Sequence, residues 1–154
     1  MQDVFFEKGT ALVGGREVPF AQVTVQDKFS MYLPKSFEQD QNISGQYSYF
    51  SNKGKSPLGI ALKFAQVKSA QSREKLIRNY FGGESELEPD SGKEGSAIAY
   101  REAVHAGETM SIYSLRFSVE LTDGVLFGCF NAANQHGEDW KPTVLKMLQS
   151  IELL

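Results

Sequence analysis

Residues 110–133 read MSIYSLRFSVELTDGVLFGCFNAA, two apolar-rich runs on either side of Asp123 and Gly124. Asp-Gly between two such runs predicts a β-hairpin, because a type I′ turn needs positive φ at both of its central residues. After a polar loop the chain closes with apolar side chains at helical spacing: Trp140, Val144, Leu145, Leu148 and Ile151. The C-terminal third therefore predicts a hairpin followed by an amphipathic helix.

The hairpin turn also predicts a register. A loop made of Asp123 and Gly124 pairs Thr122 with Val125, so that Leu121 faces Leu126 on an apolar face that we assign to the core. The opposite face mixes polar and apolar side chains: Arg116, Ser118, Glu120, Phe127, Cys129 and Asn131. We expect this second face to be either partly covered or open to a partner.

Upstream, apolar residues in β-like patterns predict further strands at 4–6, 11–13, 18–25, 29–33, 47–51, 58–64 and 97–104. Gly14 and Gly15 predict a turn, and a single helical turn is expected at 35–37. A helix should begin at Ser69 or Ser72 and end at the glycines 82–83, before an exposed polar connection at 84–95. Strands joined by short turns pair antiparallel, so the fold class is α+β, a twisted antiparallel β-sheet flanked by helices.

Composition sets the outer limits on function. The 154 residues fit a single domain, and a net charge of −3, from 16 basic and 19 acidic residues, gives no reason to expect nucleic acid as a partner. No apolar run reaches the length of a spanning helix. The start of the chain lacks the features of a signal peptide. We expect a cytoplasmic protein if Met1 is the native start, and a periplasmic or envelope protein if an export signal has been removed.

Three segments together resemble the PsbP-like superfamily, which includes PsbP, the Ran release factor and DcrB-like proteins. Residues 29–37, FSMYLPKSF, resemble its opening strand ending in proline. Residues 58–81 resemble its middle strand and helix, and the hairpin with 140–151 resembles its closing helix. The resemblance covers 27–154 and leaves 1–26 without a counterpart. It implies mostly non-enzymatic roles in partner binding and assembly, and it supplies no catalytic residue.

No arrangement of residues predicts a reaction, a metal or a cofactor. The two histidines, His105 and His136, lie in separate turns and lack the spacing of zinc ligands. The single cysteine, Cys129, excludes an internal disulfide and is expected as a small buried side chain that faces the sheet rather than a cleft. A Cys129–His136 nucleophile pair, or a loop based on His136 and Asp139, remains the basis of a small-hydrolase alternative.

Charge and aromatic content mark the candidate partner-binding residues. Residues 51–78 contain seven basic side chains and one acid, whereas 84–94 contain five acids and one lysine. The basic side could dock an acidic partner, or the two segments could be ordinary solvated surface. The basic candidates are Lys68, Arg73, Lys75 and Arg78. The polar loop before the last helix adds Asn134, Gln135, His136 and Glu138, with Asp139 as its expected cap, and the strand at 47–51 adds Tyr47 and Tyr49.

Three functional classes follow from these observations. The first is a non-catalytic module that binds another protein through its sheet face and flanking loops. The second is a carrier of a small molecule or lipid, with a pocket between sheet and helices. Its expected lining is Phe64, Leu76, Tyr80, Tyr113 and Phe127. The third is the small hydrolase described above.

Overall fold

The computed structural model describes residues 9–25, 28–39, 46–51, 58–67, 69–82, 88–91, 96–107, 110–121 and 124–153. Within these ranges the strands are β1 (Thr10–Val13), β2 (Arg16–Val25), β3 (Phe29–Pro34), β4 (Phe37–Gln39), β5 (Gln46–Ser51), β6 (Gly59–Gln66), β7 (Glu88–Ser91), β8 (Ala97–Ala106), β9 (Ser111–Leu121), β10 (Gly124–Ala133) and β11 (Glu152–Leu153). The helices are α1 (Ala70–Tyr80) and α2 (Gly137–Gln149), with a 3₁₀ turn at Asn134–His136. The predicted α+β class is confirmed.

The strands form two antiparallel sheets. A large seven-stranded sheet has the order β4-β5-β6-β10-β9-β8-β7, and a small four-stranded sheet has the order β1-β2-β3-β11. The predicted strands at 11–13, 18–25, 29–33, 47–51 and 97–104 lie within observed strands, and the strand predicted at 58–64 begins one residue later, at Gly59. The strand predicted at 4–6 lies outside the described residues.

The two helices lie on opposite faces of the large sheet. On one face the ring of Phe130 lies 5.5 Å from Trp140 in α2, and on the other the ring of Phe127 lies 4.8 Å from Tyr80 in α1. Phe127 and Phe130 are three residues apart in one strand, so their side chains point to opposite faces. The small sheet and α2 share the main hydrophobic core with the large sheet.

The hairpin register differs from the prediction by two residues. Leu121 pairs with Gly124, and Val119 pairs with Leu126. Gly124 is therefore the first residue of β10 rather than the second residue of the turn. The reason lies in the neighbouring strand, because a Cβ at Gly124 would clash with the carbonyl oxygen of Ala65 in β6. A shift of two residues leaves each side chain on its predicted face.

Three local expectations are also corrected. Lys35 and Ser36 form a turn that leads directly into β4, so no helical turn follows Pro34. The connection at 84–95 contains β7, which pairs with β8 as an edge strand. Asp139 is not the cap of α2, since the helix begins at Gly137 and Asp139 lies in its first turn. There its carboxylate is near the positive end of the helix dipole.

Candidate functional site

A cavity of about 530 Å³ lies between α1 and the large sheet. Its floor is built from β6 and β10, and its roof is the inner side of α1. The lining residues are Ala61, Leu62, Lys63, Ala65, Leu76, Asn79, Tyr80, Phe127, Gly128 and Cys129. Most of these residues are apolar, so the space is a partly open apolar cavity with a few polar groups.

The helix over the cavity is fixed near its two ends. At its start the side chain of Ser69 accepts a hydrogen bond from the amide of Ser72, as the sequence predicted for one of the two serines, and Nε of Arg73 donates to the carbonyl oxygen of Val67 over 2.8 Å. At its end the hydroxyl of Tyr80 donates to the carbonyl oxygen of Gly128. None of the residues of α1 is buried. The helix therefore covers the sheet without filling the space beneath it.

The end of α1 rests on two arginines in adjacent strands. Arg101 and Arg116 are direct cross-strand partners. The Arg116 guanidinium lies 4.8 Å from the ring centre of Tyr80, and the Arg101 guanidinium lies 5.9 Å from that of Phe81. Cation–π contact and the negative end of the helix dipole both stabilise this placement. Burial raises the pKa of Tyr80, and Cys129 adds to the increase, whereas Arg116 opposes it.

Cys129 lines the cavity, which corrects the expectation that it faces the sheet and not a cleft. Its side chain is half-buried, with Sγ 3.6 Å from Oδ1 of Asn131. Burial raises the pKa of the thiol above its ordinary 9.0, and Arg116 and Ser114 offset only part of that increase. His136 ends the 3₁₀ turn and directly precedes α2, which packs on the opposite face of the sheet, so the two side chains form no nucleophile pair. A protonated thiol is a weak nucleophile.

The predicted pocket residues divide between the two faces of the sheet. Leu76, Tyr80 and Phe127 line the cavity as expected. Phe64 packs against the main core instead, with Nζ of Lys28 5.3 Å from its ring centre. Tyr113 is buried on the α2 side, where its hydroxyl donates to Oε2 of Glu102 over 2.7 Å.

The basic candidates lie on α1, apart from Lys68, which is outside the described residues. Lys75 and Arg78 are exposed on the helix. Arg73 is half-buried and already donates to the backbone of Val67. Among the described members of the predicted basic patch, Lys75 and Arg78 are thus the ones that face solvent.

The polar loop candidates lie around the start of α2. Asn134, Glu138 and Asp139 are exposed, and His136 Nδ1 is 4.0 Å from Oδ2 of Asp139. Gln135 lies in the 3₁₀ turn, and its side chain is outside the described residues. In the part of the chain that the structure describes, no three His, Cys, Asp or Glu side chains come together as metal ligands.

The aromatic candidates belong to the core. Tyr47 is 7% exposed and Tyr49 is 5% exposed. Burial raises the pKa of Tyr49 most, and the neighbouring Tyr47 adds to the increase. Both side chains point to the same face of β5, because they are two residues apart. Little of either ring is left for a partner.

Sequence reasoning missed four groups that shape the site, namely Lys63, Asn79, Gly128 and the Arg101–Arg116 pair. The alternation of residues 58–64 places Lys63 opposite the core face, which could have pointed to it. The arginine pair depends on the register between β8 and β9, which no local pattern encodes. Within the described ranges, no helix is long and apolar enough to cross a membrane.

Comparison with solved structures finds proteins of similar fold. No family model and no curated protein matches the chain. A crystal structure of a protein from Bacteroides thetaiotaomicron VPI-5482 matches with a TM-score of 0.63 and 12% identity over 82% of this chain. This chain spans only 45% of that protein. The solution structure of cyanobacterial PsbP (CyanoP) from Synechocystis sp. PCC 6803 matches with a TM-score of 0.45 and 10% identity, over 92% of this chain and 96% of that one. A PsbP protein, of the superfamily that the sequence resembles, is thus among the solved structures that match.

Proposed function

We propose that this protein is a non-catalytic binding module that carries a small, largely apolar molecule between α1 and the large sheet. The observation that supports this most is the cavity itself. Its volume of about 530 Å³ falls within the roughly 300–1,000 Å³ of small-molecule sites. Its walls are mainly apolar, so a ligand would gain about 25 cal/mol for each Å² of apolar surface removed from water.

The attachment of α1 gives a second argument for a carrier. A helix with no buried residue leaves part of the apolar side chains of Leu76 and Ile77 uncovered by protein. An apolar ligand beneath the helix would cover these groups from below. The anchors at Arg73 and Tyr80 would hold the roof in place while the middle of the helix adjusted to the ligand.

The chemistry of the walls favours binding over catalysis. Cys129 brings a thiol, a common catalytic nucleophile, into the lining, but burial raises the pKa of this thiol and keeps it protonated near neutral pH. The hydroxyl of Tyr80 is engaged with the backbone of Gly128. A bound molecule would therefore meet mainly apolar surface, a protonated thiol and a tyrosine hydroxyl that already has a structural partner.

A cavity-filling variant tests the proposal. Ala61→Leu adds bulk to the cavity wall, whereas Ala99→Leu adds the same bulk to a half-buried alanine of β8 outside the lining. We expect the neutral fluorescent probe N-phenyl-1-naphthylamine to bind the wild type and Ala99→Leu, and to bind Ala61→Leu at least about tenfold more weakly. Native mass spectrometry of the protein purified from its own cells would identify the natural ligand. Equal probe binding by all three proteins, or by none, would refute the carrier.

Docking of an acidic protein on α1 is a second candidate function. The observation that favours it is the exposure of Lys75 and Arg78 on the outer side of a helix whose only acidic residue is Glu74. Such a cationic face would steer an acidic partner during its approach. The polar loop of Asn134, His136 and Glu138 lies at the start of α2, which packs on the opposite face of the sheet, so we assign it no part in this docking surface.

A further inference from the structure

We infer that the ligand of the cavity is an anionic amphiphile, an apolar chain with a terminal oxyanion that lies at Lys63. This inference rests on the proposed carrier function and specifies its ligand class. Lys63 lies in the cavity lining and is exposed, so its ammonium group is at the mouth of the cavity. It forms no ion pair with any residue that the structure describes. Asn79 of α1, also in the lining, supplies an amide for hydrogen bonding.

The charges around the cavity favour an anion. Arg116 is the direct cross-strand partner of Cys129, and its guanidinium lies 4.8 Å from the ring centre of Tyr80, so a second cation lies next to two lining residues. Lys75 and Arg78 add positive charge on the outside of α1. The described acids on this face include Glu74, exposed on α1, and Glu120 on β9, and no acid lines the cavity among the described residues.

The apolar walls select an amphiphile over a small inorganic anion. Ala61, Ala65, Leu76 and Phe127 offer no donors to replace the hydration shell of a phosphate inside the cavity. A long apolar chain loses no hydration of this kind and gains from burial. A lysine at the rim extends its methylene groups along apolar surface and keeps its ammonium group in water, where a terminal carboxylate or phosphate can reach it.

The test uses three ligands with the same ten-carbon chain and different head groups. Decanoate, 1-decanol and decyltrimethylammonium, each below its micelle concentration, displace N-phenyl-1-naphthylamine from the protein. We expect decanoate to bind the wild type about tenfold more tightly than 1-decanol, and the cation to bind most weakly. Added NaCl should reduce the advantage of decanoate and leave 1-decanol unchanged. Decyl phosphate in parallel distinguishes a phosphate head group from a carboxylate.

Lys63→Gln, with Lys75→Gln as its matched control, assigns the head-group site. Lys75 is an exposed lysine of α1 outside the cavity lining. We expect Lys63→Gln to bring decanoate close to the affinity of 1-decanol, and Lys75→Gln to keep the difference. If 1-decanol binds the wild type as tightly as decanoate, or Lys63→Gln changes nothing, the inference is wrong and the apolar carrier stands. If neither ligand nor the probe binds, the carrier function itself is refuted.

Discussion

The hydroxyl of Tyr80 donates a hydrogen bond to the carbonyl oxygen of Gly128, which joins the last turn of α1 to the central strand of the large sheet. The ring of Tyr80 also contacts Phe127 on one side and Arg116 on another. One residue thus holds the end of the helix and closes one wall of the cavity. The stability of α1 and the shape of the cavity are therefore linked through Tyr80.

Tyr80→Phe should weaken the attachment of α1 and keep the fold. The substitution removes the hydroxyl and retains the ring contacts. We expect a loss of about 1 kcal/mol in the free energy of unfolding measured in urea. Relative to the wild type, the rate of amide hydrogen exchange should increase more in α1 than in β10. Tyr47→Phe is the control, because the hydroxyl of Tyr47 forms no hydrogen bond with any described residue. Equal losses in both variants would contradict a specific role for the Tyr80 hydroxyl.

Gly124→Ala should disrupt the junction of β10 and β6. A methyl group at this position would clash with the carbonyl oxygen of Ala65. We expect a loss of about 2 kcal/mol or more, since two paired strands must move apart. Gly82→Ala is the control, because Gly82 has a φ of +78° and open space around its missing Cβ. That change should cost about 1 kcal/mol from backbone conformation alone. If Gly124→Ala is the milder of the two, the clash does not set the register.

Gly124 also explains why the sequence predicted the faces of the hairpin and missed its register. Alternation assigns each side chain to a face, and a shift of two residues leaves that assignment intact. The correct register depends on contact with Ala65, almost sixty residues earlier in the chain. Similarly, β7 was missed because an edge strand gains its hydrogen bonds from β8 and needs no apolar pattern of its own.

The sequence predicted a pocket between the sheet and a helix, but it identified only some of the lining residues. The helical spacing of Leu76 and Tyr80 indicated one apolar face of α1, and Phe127 lies opposite that face. Phe64 and Tyr113 were assigned to the wrong side, because their faces depend on pairing with β10. Phe64 pairs with Leu126 and Tyr113 pairs with Ala132, both on the α2 side. Strand pairing between distant segments is the information that local patterns lack.

Cys129 should react slowly with alkylating reagents in the folded protein. Burial raises the pKa of its thiol, so at pH 8 less thiolate is present than in a free cysteine with a pKa of 9.0. We expect iodoacetamide to modify the native protein more slowly than the urea-unfolded chain, and an apolar ligand to slow it further. A native rate equal to or above the unfolded rate would contradict this and revive the hydrolase alternative.

Because of the same raised pKa, the free energy of unfolding should depend on pH in the alkaline range. The folded state holds the proton of Cys129 more tightly than the unfolded state, so its contribution is complete below pH 9.0 and is lost as the pH rises toward the folded pKa. We expect the unfolding free energy to fall above pH 9 less steeply in Cys129→Ser than in the wild type. Parallel pH profiles for the two proteins would rule out this linkage.

Glu102 should contribute a small, acid-sensitive stabilisation at the α2 side. Burial alone would raise its pKa, but hydrogen bonds from Lys141 and Tyr113 together lower it below 4.5. A lowered pKa stabilises the fold above pH 4.5 and the effect is lost as the pH falls through the folded pKa.

Because the Lys141–Glu102 pair is about one third exposed, we expect Glu102→Gln to cost only about 0–1 kcal/mol at pH 7. Glu17→Gln, at an exposed position of β2, should cost nothing. Equal pH profiles for the two variants would contradict the network.

Lys75→Glu combined with Arg78→Glu tests the docking of an acidic protein on α1. Arg73 is left unchanged, because its bond to the carbonyl oxygen of Val67 helps to fix the helix. The control reverses two exposed cations, Arg16 at the start of β2 and Lys35 in the turn after β3, so both variants change the net charge equally. If α1 is a docking face, a partner recovered by affinity enrichment should be lost only with the α1 variant, and its association should weaken with added salt.

A partner lost equally from both variants would indicate non-specific charge attraction, and one retained by the α1 variant would exclude this face. Because Lys75 and Arg78 lie outside the cavity lining, the α1 variant should still bind N-phenyl-1-naphthylamine, which separates loss of docking from loss of the fold.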